Sequence, residues 1–271
     1  MKHLCAVVGM SRDAFYKRLR RRAQDGGARK VVLELVRDVR KEEPRTGTRK
    51  LLHRISPELG SLGVSIGRDR LFDLLREKSL LVKRKRRYQR TTYSNHQYAV
   101  APNRVKNREI TAPGQVFVSD ITYIRLKREF AYLFLVTDAY SRKVVGWHLS
   151  RDLSHYSALL ALDLALESLT NTRGVIHHSD RGCQYCCNDF LNYLGEHGVI
   201  PSMTDESHCY QNAIAERLNG ILKDEFDLDV VFPAFSEARV AVEHAIDVYN
   251  NKRTHWSLQL KTPAQVHQEA A

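Results

Sequence analysis

Three of the 31 acidic residues draw notice by where they fall. Asp120 interrupts the strand-like run QVFVSDITYI, and Asp180 closes the apolar run VIHHSD. A strand interior disfavours Asp and burial of its charge is costly, so each position asks for a compensating partner such as a metal ion. Glu216 lies in CYQNAIAERLNGILK, Cys209 to Lys223. At 3.6 residues per turn, Asn212, Glu216, Asn219 and Lys223 form one polar row, while Ile214, Leu218, Ile221 and Leu222 fall on another face. An isolated glutamate on such a helix reads as a solvated surface acid. Two strand-borne aspartates shift that weighing, because three acids from two strands and a helix make a carboxylate site for hard divalent cations.

The elements that must position these acids follow from periodicity. Val116–Ile124, Phe130–Thr137 and Lys143–Leu149 are β-rich runs with short connections, which predicts an antiparallel meander. Ser154–Leu169 reads as a nearly all-apolar helix suited to lie against a sheet. Val175–Ser179 is a short apolar strand, Asn188–His197 a helix stopped by Gly198, and Val199–Met203 a fifth strand. The Glu216 helix comes next. Strands that first meander and then alternate with helices predict a mixed α/β domain, a five-stranded mixed sheet flanked by helices.

The N-terminal part is different in charge and pattern. Residues 1–110 carry 29 Lys and Arg against 11 Asp and Glu, whereas residues 111–271 carry 14 against 20, within a formal net charge of +12. Ser11 is a candidate N-cap for a short helix carrying Phe15, Tyr16 and Leu19. Val32, Leu35, Val36 and Val39 mark a helix ended by Pro44, and Thr48–Ile55 and Arg68–Lys78 a further pair joined by a Gly/Ser/Pro-rich connection. This predicts a small basic all-α, helix-turn-helix-like module over residues 1–82. Residues 83–110 then read as a basic linker. Its Lys83, Arg84, Lys85, Arg86 and Arg87 would lie along phosphates and contribute affinity and salt dependence rather than sequence reading. Residues 111–271 form the α/β domain.

Other features are weaker. The five cysteines are odd in number and three of them crowd at Cys183, Cys186 and Cys187, a poor disulfide framework that favours reduced thiols. A single Cys-x-x-Cys with no second regularly spaced pair gives little support to zinc. His177, His178 and Arg181 flank Asp180 and could orient it or touch DNA, but are left out of the catalytic set. Asp138 reads as a strand-end cap, and Trp147 and Trp256 as packing residues. No stretch has the apolar length of a membrane span or a signal-peptide core, so a cytoplasmic protein, bound at the nucleoid when on DNA, is expected.

SDITYI around Asp120, DAYSRKVVGW (Asp138–Trp147), HHSDRGCQY (His177–Tyr185), CYQNAIAERLNGILK and the closing YNNKRTHWSLQLKTPAQVH (Tyr249–His267) together resemble the DDE transposase and retroviral integrase superfamily. More narrowly, they are similar to the second reading-frame product of bacterial insertion-sequence transposases. The interval of 35 residues between Asp180 and Glu216, and Lys223 seven beyond the glutamate, match that group's pattern. Gln211, Cys183 and Thr254 depart from its commoner residues, and none of the three is an acid. The resemblance covers residues 110–268 strongly and the N-terminal module weakly.

It implies a ribonuclease-H-like catalytic domain in which Asp120, Asp180 and Glu216 are catalytic and bind Mg²⁺, replaceable by Mn²⁺. Two ions would sit roughly 3.5–4 Å apart, with Asp120 bridging. The implied activity is cleavage at insertion-sequence ends followed by transfer of the freed 3′-hydroxyl into target DNA, with no covalent enzyme intermediate. Lys223 and Asn212 would contact DNA. Double-stranded DNA, a homo-oligomer that pairs two ends, and the upstream reading-frame product are the implied partners. Two other classes are weighed against it: a non-catalytic DNA-binding regulator derived from a transposase, and a ribonuclease-H-type nuclease. A tyrosine recombinase is excluded because no Arg/His-lined nucleophilic tyrosine is found.

Overall fold

The computed structural model describes residues 11–82, 98, 100–205 and 212–270. The basic run Lys83–Arg87 lies outside them, as do Cys5, Tyr88, Tyr93, His208 and Cys209. The chain divides into two compact units, Met1–Arg84 and Lys85–Ala271.

The first unit is helical. α1 runs from Arg12 to Glu42, and the Ser11 hydroxyl caps it by accepting from the Ala14 N–H at 3.1 Å. The two helical segments expected there are one continuous helix through Gly26 and Gly27. Each glycine weakens a helix by about 1 kcal/mol without forbidding it. α2, Thr48–Ser61, passes through Pro57, beyond the end expected at Ile55, because Leu59 still has core to reach. α3 spans Arg68–Glu77. Val32 and Val36 of α1, Leu51, Ile55 and Leu59 of α2, and Leu71, Leu74 and Leu75 of α3 make one buried cluster. The outer side of α3 leaves Arg68, Arg70 and Arg76 exposed.

The second unit is built on a sheet. β1 (Val116–Leu126), β2 (Phe130–Asp138) and β3 (Val144–Ser150) form the expected antiparallel meander. β4 (Ile176–Ser179) and β5 (Ile200–Met203) add in parallel, giving the order β3-β2-β1-β4-β5. β1 is eleven residues long and β4 only four, so much of that edge of β1 stays open. A two-residue β6, Val231–Phe232, not expected from the sequence, pairs there with Arg125 and Leu126.

Helices cover both faces. α4 (His155–Glu167), the short α5 (Cys183–Cys186) and α6 (Asn188–Glu196) lie on the face of Phe117, Phe134 and Val136. α7 (Ala213–Glu225) and α8 (Phe235–Asn251) lie on the face of Ile124, Leu133 and Leu135. A short α9, Pro263–Glu269, opens with a Thr262/Gln265 capping box. Gly146 lets α4 close on β3: a Cβ there would meet the Ala161 carbonyl oxygen at 2.0 Å. Within residues 100–110, Ala101, Val105 and Ile110 pack on this unit and the Arg104 N–H donates to Ser202 Oγ at 2.9 Å. No helix among the described residues is long and apolar enough to cross a membrane.

Candidate active site

The sheet register places the two aspartates. β1 and β4 run parallel with Val118 opposite His178. Asp120 and Asp180 each stand two residues further along. Strand spacing of about 4.8 Å and the two-residue alternation of side chains therefore bring them to one level and one face. Asp180 lies just past the end of β4, and Gly182 N–H donates to its Oδ1 at 3.0 Å. A Cβ at Gly182 would stand 3.0 Å from that same oxygen, so the absence of a side chain keeps this turn close.

α7 lies over that face. Ala215 packs with Val116, Val118 and Ile176, and Leu218, Ile221 and Leu222 go into the core beyond. The apolar stripe read from the sequence thus seats the helix, with Ala215 in place of the half-buried Ile214 at its start. Glu216 next to Ala215 is exposed. The polar row is drawn toward β1 more than expected. Asn212 is buried, and its Nδ2 donates to the Ser119 carbonyl at 3.0 Å. Asn219 Nδ2 donates to Asp120 Oδ2 at 2.6 Å. Lys223 is half-buried.

Electrostatics show the acids acting on one another. The carboxyl of Asp120 is pushed up to about 7, first by burial, then by the neighbouring charge of Asp180, with Glu216 adding to it. The Ile121 N–H, donating to Oδ1 at 2.9 Å, and Asn219 act in the opposite direction. Burial lowers the pKa of the Lys223 ammonium, while attraction to Asp229 and Asp120 opposes that shift. Tyr185, behind the site, has its phenol held protonated by burial and by the same two aspartates.

Among the described residues no set of three or more His, Cys, Asp or Glu stands close enough, as the side chains lie, to hold a metal ion. The donor chemistry is nevertheless that of hard cations: carboxylate oxygens, with the Asp120 carboxyl driven toward its protonated form by burial first and then by its acidic neighbours. A divalent cation would relieve that repulsion.

His177 and His178 lie in β4, within the strand expected over Val175–Ser179. His177 is buried, hydrogen-bonded through Nε2 to Ser119 Oγ at 2.8 Å and packed near Tyr185 and Phe190. Burial lowers its pKa to about 3, helped by His178, so it is neutral. His178 Nδ1 is 2.9 Å from Ser202 Oγ. These two rings support β4 from within the fold. Asp138 caps as expected: Oδ1 accepts from the Ser141 N–H at 2.7 Å and hydroxyl at 2.6 Å, and Oδ2 from the Gly114 N–H at 2.8 Å. Trp147 packs against the core, but Trp256 is 58% exposed and does not. Asn219 was not singled out from the sequence beyond its place in the polar row. Its spacing of one turn from Glu216 was the signal that could have marked it.

Residues 110–209 match an integrase core domain family, and residues 197–263 match a second family of that description. The chain is 34% identical to the 31 kDa protein of insertion element IS600 from Shigella sonnei, over 99% of this chain and all of that one. It is 30% identical to transposase InsF of insertion sequence IS3A from Escherichia coli K12, over 94% of this chain and 89% of that one. A chain in the simian T-cell lymphotropic virus intasome shares the fold, with a TM-score of 0.51 and 18% identity, covering 82% of this chain and 70% of that chain.

Proposed function

The chain belongs to the insertion-sequence transposases of the DDE transposase and integrase superfamily, and from that premise we propose that Asp120, Asp180 and Glu216 are its catalytic acids. The family's activity is polynucleotidyl transfer in DNA transposition and integration. In the first step a water oxygen attacks a phosphodiester at the element's end; a P–O bond forms, the bond to the 3′ oxygen breaks, and the strand leaves with a free 3′-hydroxyl. In the second, that hydroxyl attacks a phosphodiester of target DNA and displaces its 5′ neighbour's oxygen. One P–O bond is made for each one broken, so no energy source is needed.

The observation that supports the assignment is that Asp120 and Asp180 reach one level and one face of the sheet, with the Asp120 carboxyl pushed up to about 7 by burial first and then by the charges of Asp180 and Glu216. Mg²⁺ or Mn²⁺ bound by the three carboxylates would supply Lewis-acid activation of the attacking oxygen and charge stabilisation of the leaving one. The protein's part is to hold the acids on rigid elements: Asp120 in mid-sheet, Asp180 on a glycine-tightened turn, Glu216 on a helix seated by its apolar face. Lys223, set beside Asp120 and half-withdrawn from water, serves a phosphate near the reacting end. Asn212, whose amide already holds Ser119, serves the DNA only through the placement of α7.

The helical unit and the run Lys83–Arg87 are assigned to DNA binding, the exposed arginines of α3 supplying phosphate contacts. Two copies would hold two element ends. A direct test replaces Asp120 and Asp180 singly with Asn and follows hydrolysis of a labelled duplex carrying the element's end, with Mg²⁺ or Mn²⁺. Each variant is expected to bind the duplex and fail to cut it. A variant that cuts at the wild-type rate removes its residue from the catalytic set.

A further inference from the structure

Asp120 has one fixed donor on each carboxylate oxygen. The Ile121 N–H holds Oδ1 at 2.9 Å, and Asn219 Nδ2 holds Oδ2 at 2.6 Å. The first is a backbone contact that any residue at position 121 other than proline would make. The second is specific to an asparagine on α7, one turn beyond Glu216. Its orientation is not arbitrary: with the amide turned over, its oxygen would face the carboxylate oxygen at the same short distance, acceptor against acceptor. As it stands, Asn219 Oδ1 is buried without a partner. The side chain thus leaves one polar atom unsatisfied while the other points at Asp120.

Asn212 gives the contrast. It lies seven residues earlier on the same row and also ties α7 to β1, but through the Ser119 carbonyl. Asn212 therefore fixes the helix to the strand's backbone. Asn219 instead fixes the carboxylate.

We propose that Asn219 is a positioning residue that orders the Asp120 carboxylate ahead of metal binding and couples it to the helix that carries Glu216. This rests on Asp120 being a catalytic metal ligand. The physical logic is that a carboxylate free to rotate about its Cβ–Cγ bond must be ordered when the ion binds, whereas one held by a neighbouring amide is ordered beforehand. Groups that orient metal ligands in this way typically account for 10–100-fold in metal affinity or activity.

The test uses the full chain and Mn²⁺ alone as probe, with bound ion read by electron paramagnetic resonance in the absence of DNA. Wild type, Asn219→Leu and Asp120→Asn are compared. Asn219→Leu is close in volume and removes the donor without adding charge. It is expected to bind Mn²⁺ roughly 10–100-fold more weakly, with end cleavage recovered toward the wild-type maximal rate as Mn²⁺ is raised. Asn219→Ser, which remains polar but falls short of Asp120, is expected to do the same and covers the case in which Leu disturbs packing. A merely structural role would lower the unfolding temperature and reduce the cleavage rate at every Mn²⁺ concentration. That pattern, or wild-type Mn²⁺ affinity in both variants, overturns the proposal. Undiminished Mn²⁺ binding by Asp120→Asn would instead overturn the assignment of Asp120 on which it rests.

Discussion

Arg253 lies immediately beyond α8 and is 2% exposed. Its Nε and Nη2 donate to the two oxygens of Glu225 at 2.8 and 2.7 Å, its Nη1 faces His255 Nε2 at 2.8 Å, and its guanidinium sits 5.9 Å from the centre of the Tyr249 ring. Glu225 is the last residue of α7, so this pair pins the far end of the Glu216 helix to the closing segment of the chain. Arg253→Met keeps much of the volume but takes the bidentate partner from Glu225. Breaking a buried ion pair costs about 3–5 kcal/mol. The Glu225 side chain is 22% exposed and recovers some hydration, which reduces the expected cost to roughly 2–4 kcal/mol. In a unit of this size each kcal/mol moves the midpoint by about 2–4 °C, so Tm should fall by roughly 5–15 °C.

Arg253→Lys should fall between, because an ammonium cannot engage both oxygens in a fixed fork. The assay is thermal and urea unfolding followed by circular dichroism, with Glu225→Gln and the double variant closing a cycle. A coupling of about 1.5–3 kcal/mol is expected. An Arg253→Met protein that melts within about 1 °C of wild type, or a coupling near zero, would mean that the pair does not hold α7 in place.

Two further perturbations have defined signs. Gly146→Ala forces a methyl group against the backbone of α4 at Ala161 and Ala165, where no side-chain rotation can relieve it. Urea unfolding should show a loss at the upper end of the ~1–3 kcal/mol typical of overpacking, and wild-type stability would refute the close packing of β3 on α4. Asp120 has its pKa raised on folding, from a usual value of about 3.9 to about 7. Its contribution to stability is therefore full below pH 4 and is lost as pH rises through about 7 in metal-free protein. Metal-free Asp120→Asn should accordingly be more stable than wild type at pH 8, and Mg²⁺ should narrow the gap by stabilising wild type alone. Equal stability of the two metal-free proteins at pH 8 would contradict the cost of burying the Asp120 charge beside Asp180.

The meander, the parallel strands and the α7 helix were legible because each announces itself locally, through alternation, an apolar run or a 3.6-residue stripe. The acids were legible for the opposite reason, since a charged residue in Val116–Leu126 or at the end of Ile176–Ser179 contradicts its surroundings. What escaped depends on tertiary context. β6 is two residues whose only reason to be a strand is the open edge of β1. Pro57 fell in the connection expected after Ile55, and the helix of Phe15 and that of Val32 read as separate, yet Leu59 is buried and α1 runs unbroken from Arg12 to Glu42. The strand of His177 and His178 was legible, but their partners Ser119 and Ser202 inside the fold were not. The contacts of Asn219 with Asp120 and of Arg253 with Glu225 join residues far apart in the chain, and spacing alone does not reveal such pairs.

The central claim, that one three-acid site performs both cutting and joining, is tested most directly with labelled DNA carrying the element's ends, incubated with Mg²⁺ or Mn²⁺ and either wild type or Glu216→Gln. Wild type should release the 3′ end and join it to target DNA only when the metal is present, and Glu216→Gln should bind the same DNA while losing both reactions. Cutting and joining by Glu216→Gln at the wild-type rate would contradict it.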